Sequence, residues 1–90
     1  MKFGWDPEKA AENFRKHRVR FEEAMEVFTD SDGWEAFDEF HSEDERRYIR
    51  LGFSSRRPLL VVFTEVEGDV TWIISARKAK ANERKLYEET

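Results

Sequence analysis

Ninety residues and 10.8 kDa make one domain, residues 1–90, in which charged residues (40%) match apolar ones (39%), so the core is thin and eight Phe, three Trp and two Tyr must supply its bulk. The absence of cysteine excludes a disulfide framework, a thiolate nucleophile and cysteine-ligated zinc. No apolar run reaches membrane-spanning length, Met1 to Ala10 has no leader-like apolar stretch, and Gly4, Gly33, Gly52 and Gly68 stand too far apart for a phosphate loop; a cytoplasmic protein is expected.

Asp6-Pro7 reads as a helix start, because aspartate accepts backbone N–H bonds at the N-cap and proline is tolerated at the first helical position. This helix is expected over about 7–17, with Trp5 packing onto Ala10, Phe14 facing inward, and Asn13, Lys16 and His17 sharing one face. Phe21, Ala24, Met25 and Phe28 recur at helical spacing and predict a second short helix, ended by the loop Thr29 to Gly33. The period then becomes two. Strands are expected over Trp34 to His41, Arg46 to Phe53, Leu59 to Phe63 and Val70 to Ala76, with a hairpin turn at Glu67-Gly68-Asp69. Ala79 to Glu89 reads as a polar helix anchored by Leu86 and Tyr87. This order predicts an α+β fold with N-terminal helices, an antiparallel sheet of four to five strands and a C-terminal helix.

The net charge of −4 conceals a division. Glu22 to Glu45 carries eleven acidic residues and no Lys or Arg, whereas Met1 to Phe21 sums to +3 and Arg46 to Lys85 to +6. One face is therefore expected to attract polyanions and another to repel them or to meet a basic partner. Alternation along the strands puts Ile49, Leu51 and Phe53 opposite Arg46, Tyr48 and Arg50. It likewise puts Val70, Trp72, Ile74 and Ala76 opposite Ser75 and Arg77. With the apolar faces against the helices, Arg46, Tyr48, Arg50, Ser75 and Arg77 are expected on the open face. Guanidinium groups beside an aromatic ring suit phosphate contact and base stacking. An ordinary polar sheet face is the alternative reading of the same pattern.

The blocks Phe3 to Lys9, Asn13 to Ala24, Glu45-Arg46 with Gly52, and Ile73 to Ala79 with Glu83 and Tyr87 together resemble the BrnT family of type II toxins. The stretches Asn-x-x-Lys-His-x-Val-x-Phe-Glu-Glu-Ala and Ile-Ser-Ala-Arg-Lys-Ala are the specific ones. The resemblance implies a RelE-like fold and a metal-independent endoribonuclease that stops translation without a cofactor. It implies neutralisation by a BrnA-like ribbon-helix-helix antitoxin in a 2:2 heterotetramer, with DNA contacted only through that antitoxin. In such chemistry the 2′-hydroxyl of RNA is the nucleophile. The protein supplies a proton acceptor, a proton donor and cations. Lys16, His17, Arg46, Arg77 and Tyr87 stand in the matching blocks as candidate catalytic residues, with Tyr48, Arg50 and Lys78 as candidate RNA contacts. His17 is the better of the two histidines for proton transfer, and His41 has no assigned role.

The chain also departs from the family pattern. Val66 and Trp72 stand where arginines are common, Arg57-Pro58 replaces a Gly-Arg pair, and Lys80 replaces a hydroxyl residue before the last helix, so its capping box with Glu83 is expected to be lost. These departures keep open an alternative: a non-catalytic, decayed toxin-like module that binds the antitoxin and contributes to promoter repression.

Overall fold

The structure, a computed structural model, describes residues 1–39 and 45–89. Its elements are β1 (Lys2–Gly4), α1 (Pro7–His17), α2 (Phe21–Met25) running into a 3₁₀ turn (Glu26–Thr29), β2 (Trp34–Phe37), β3 (Tyr48–Phe53), β4 (Pro58–Val66), β5 (Val70–Lys78) and α3 (Ala81–Glu88). The sheet has the order β1-β5-β4-β3-β2. The four strands β2 to β5 pair antiparallel as expected, and β1 adds an edge strand parallel to β5, making the sheet mixed. That three-residue strand is too short to show a period. The expected strand Trp34 to His41 ends at Phe37, and His41 lies outside the described residues.

α1 begins as the sequence predicts: Asp6 accepts the Glu8 N–H at 2.9 Å and Pro7 occupies the first turn. α1, α2 and the 3₁₀ turn cover one face of the sheet. The core there joins Val19, Phe21, Ala24 and Val27 to Leu59, Val61, Ile73 and Ala76, with Phe3, Trp5, Ala10, Met25 and Phe28 packed around it. Trp5 also meets Phe21 edge to face at 5.8 Å between centroids. Phe14 is not in this core. It is half-buried, with the guanidinium carbons of Arg18 and Arg20 5.4 and 4.3 Å from its ring centre.

Two polar devices join the layers. Asn13, which is buried, donates from Nδ2 to the carbonyls of Val19 (3.0 Å) and Ala76 (2.8 Å), and its Oδ1 accepts the Ala76 N–H at 3.1 Å. β1 pairs with β5 only from Val70 to Trp72, so Asn13 takes the place of a neighbouring strand at Ala76. Glu23 accepts from Arg57 Nε (3.0 Å), Arg57 Nη2 (2.8 Å) and the Ser54 hydroxyl (2.8 Å), which ties α2 to the β3–β4 loop. The Arg57 fork is the main reason the Glu23 carboxyl lies below its ordinary pKa.

Register settles the faces. Paired residues share a face, so Tyr48, Arg50 and Gly52, opposite Phe63, Val61 and Leu59, lie on the helix-covered side. The expected placement of Tyr48 and Arg50 on the open face is corrected. Arg50 instead sits beneath the 3₁₀ turn, donating to the Val27 carbonyl (2.9 Å), the Asp30 carbonyl (2.8 Å) and Glu35 (3.1 Å). Carbonyls at a helix end need donors, and a guanidinium can serve two at once. Tyr48 stacks on Phe63 and meets Phe37 edge-on. A bulge inserts Ile74 into β5, so Ile73 and Ala76, opposite Phe63 and Val61, both face the helices. Strict alternation, which puts Ala76 with Trp72, fails there.

Candidate active site

The opposite face carries Ile49, Leu51, Leu60, Val62, Ser75 and Arg77, by the same register. α3 lies against it over β3, and Tyr87 touches Phe53 at 5.3 Å between ring centres. Beside α3 a groove of about 400 Å³ is lined by Asp38, Arg47, Ile49, Leu60, Val62, Ser75, Arg77 and Glu83. A second cleft of about 170 Å³ runs between α1 and β5, lined by Lys9, Glu12, Asn13, Lys16, His17, Ile74 and Ser75. Ser75 belongs to both, so the C-terminal turn of α1 and the end of β5 border two depressions that share this residue. Asn13 fixes that relation, because its bonds to Ala76 lie one residue from both Ser75 and Arg77. The Asn-x-x-Lys-His spacing thereby acquires a physical reason: one buried amide places Lys16 and His17, three and four residues later, at the cleft.

The sequence candidates are distributed unevenly over this surface. Lys16 and His17 line the cleft, both exposed, with Lys16 Nζ 2.9 Å from Glu12. Arg77 lines the groove. Its Nη1 and Nη2 each donate to one oxygen of Glu83 at 2.8 Å, and Nη1 also reaches the Lys78 carbonyl at 3.2 Å. The fork holds the Glu83 carboxyl below its ordinary pKa and raises that of Arg77. Arg46 is exposed ahead of β3, its carbonyl accepting the Thr64 hydroxyl, and does not line the groove; Arg47 does. Lys78 is exposed at the end of β5, opposite Leu59. Tyr48 and Arg50 line neither cavity.

Tyr87 donates its hydroxyl to Asp30 Oδ2 at 2.7 Å, and the same oxygen accepts the Phe53 N–H at 2.8 Å. The bond to Asp30 is the main reason the phenol is pushed up to about 12. Burial pushes Asp30 up, but the N–H donors of Phe53 and Asp32 and the Tyr87 hydroxyl outweigh it and leave the carboxyl below its ordinary value. A raised phenol pKa stabilises the fold fully below the ordinary value of 10 and is lost as pH rises through about 12. We therefore expect α3 to loosen above about pH 10, read as lost helical signal with phenolate absorbance. Tyr87→Phe should lack that step; an unchanged alkaline transition in Tyr87→Phe would contradict the Asp30 attachment.

Sequence reading missed Arg47, Asp38 and Glu83 as groove residues. The signal for Arg47 was present, since it has the parity of Ile49. The signal for Glu83 lies in its place three residues after Lys80. Lys80, a donor only, cannot cap, yet Glu83 Oε1 accepts the Lys80 N–H at 2.8 Å, so one arm of the capping box survives.

Among known proteins, residues 5–83 match the family model described as "Ribonuclease toxin, BrnT, of type II toxin-antitoxin system". The chain is similar in structure to the Brucella abortus ribonuclease toxin BrnT. The TM-score is 0.66 at 23% sequence identity, over 89% of this chain and 97% of that one, a likeness of fold. No curated protein sequence matches it.

Proposed function

The chain belongs to the BrnT family of ribonuclease toxins of type II toxin–antitoxin systems, and from that membership we propose that it is itself a metal-independent endoribonuclease that cleaves RNA and stops translation. A BrnA-like ribbon-helix-helix antitoxin neutralises it in a 2:2 assembly and alone contacts DNA. In the reaction the RNA 2′-oxygen attacks the adjacent phosphorus and the bond from phosphorus to the 5′-oxygen breaks. A 2′,3′-cyclic phosphate and a 5′-hydroxyl result. His17 exchanges the protons, while Lys16 and Arg77 meet the phosphate. The observation that supports this most is the convergence on Ser75. An imidazole and an ammonium from α1 and a guanidinium from β5 line two depressions that share Ser75.

A second reading, the non-catalytic toxin-like module, draws support from how fully other candidates are engaged: Arg50 under the 3₁₀ turn and Tyr87 on Asp30. Expression in a bacterial host separates the two. The first reading expects growth arrest with loss of messenger RNA, relieved by co-expression of the antitoxin. Normal growth at high expression would favour the second.

A further inference from the structure

Resting on the ribonuclease reading, we infer that Glu83 is a positioning residue that orients Arg77 for its phosphate contact. An arginine side chain in a groove samples many rotamers, and a phosphate must pay to order it. Here the ordering is done beforehand. Both Glu83 oxygens hold the guanidinium in a parallel fork at 2.8 Å, which fixes its plane as well as its place. Glu83 is itself fixed, because Oε1 also accepts the Lys80 N–H at the start of α3. The guanidinium carries five N–H donors; the fork takes one from each terminal nitrogen, and the Lys78 carbonyl takes the second from Nη1, leaving Nε–H and one Nη2–H. Donors therefore remain for an anion in the groove that both residues line.

The pair has no net charge, so it directs hydrogen bonds rather than drawing RNA in. Attraction falls to cations outside this pair, such as Lys9 at the neighbouring cleft. Loss of Glu83 then has opposite effects on binding and on turnover. Glu83→Gln adds one positive charge to the groove and keeps an acceptor for the Lys80 N–H, since glutamine also serves at that capping position. It removes one of the two oxygens of the fork.

The test is steady-state cleavage of an RNA oligonucleotide by the wild type, Glu83→Gln, Arg77→Ala and the double variant. Glu83→Gln should lower kcat about 10- to 100-fold, the scale of a displaced catalytic contact, with KM unchanged or lower. In the Arg77→Ala background it should cause no further loss, because its effect passes through Arg77. The inference is overturned if kcat stays within about twofold, if it rises because Glu83 had masked Arg77, or if the two losses multiply. Proton–nitrogen spectra of the guanidinium give a readout that needs no RNA. Resolved Nη signals for Arg77 in the wild type should average in Glu83→Gln. Averaged signals in the wild type would overturn the positioning role, whereas a wild type inert towards RNA would overturn the ribonuclease reading alone.

Discussion

Asn13→Leu should lower the melting temperature by about 12 °C or more, or leave the chain unfolded at 37 °C. The leucine keeps the branched shape of asparagine but makes no hydrogen bond. It strands the carbonyls of Val19 and Ala76 and the Ala76 N–H, all bonded to Asn13 in the native fold. Each buried group left unsatisfied costs about 1–3 kcal/mol, so the sum is roughly 3 kcal/mol or more. In a domain of this size each kcal/mol moves the midpoint by about 4–8 °C. Lys16→Ala makes the contrast. It breaks only an exposed i,i+4 pair, with side chains 59% and 44% accessible, and should leave the midpoint within about 3 °C. Thermal unfolding followed by circular dichroism reads both. An Asn13→Leu midpoint within about 4 °C of the wild type would mean that the α1–β5 tie contributes little.

Arg77→Ala should lower RNA cleavage by about 100-fold or more without loss of fold. That is the scale of removing one oriented donor from a developing oxyanion. The fold should survive because Arg77 is half-buried at a strand end, outside the core, and Glu83 retains the Lys80 N–H. Cleavage by the wild type should also weaken steeply with salt, since each phosphate contact releases a counterion. Initial rates at two ionic strengths, with circular dichroism spectra of both proteins, are the measurement. Undiminished cleavage by a folded Arg77→Ala protein would remove Arg77 from the site.

Much of this architecture was legible because local chemistry and global fold agree. Asp6-Pro7 starts α1, Gly68 and Asp69 take the positive φ values of the β4–β5 turn, and the apolar run from Leu59 lies in a strand with neighbours on both sides. What alternation could not supply was its phase. Ile49 and Leu51 mark an apolar face of β3, but that face lies on the α3 side, while the helix-covered side accepts Arg50 because the 3₁₀ turn presents carbonyls there. The extra residue at Ile74 is equally silent in sequence, since a bulge in an apolar run leaves no mark on its composition. Within the site, the Lys16-His17 and Arg77 blocks were visible as motifs. Their placement on either side of Ser75 was not, because it depends on Asn13 bonding a strand 63 residues away. The Arg77–Glu83 fork crosses from a strand end to the next helix, where helical i,i+4 reasoning pairs Glu83 only with its own neighbours.

The most direct measurement uses a DNA oligonucleotide carrying a single ribonucleotide, incubated with the purified chain in excess EDTA. If the substrate's own 2′-hydroxyl is the nucleophile, strand scission occurs only on the 3′ side of that ribose and leaves a 2′,3′-cyclic phosphate, and the all-deoxy oligonucleotide stays intact. Scission of the all-deoxy strand, or cleavage that needs added Mg²⁺, would contradict the account.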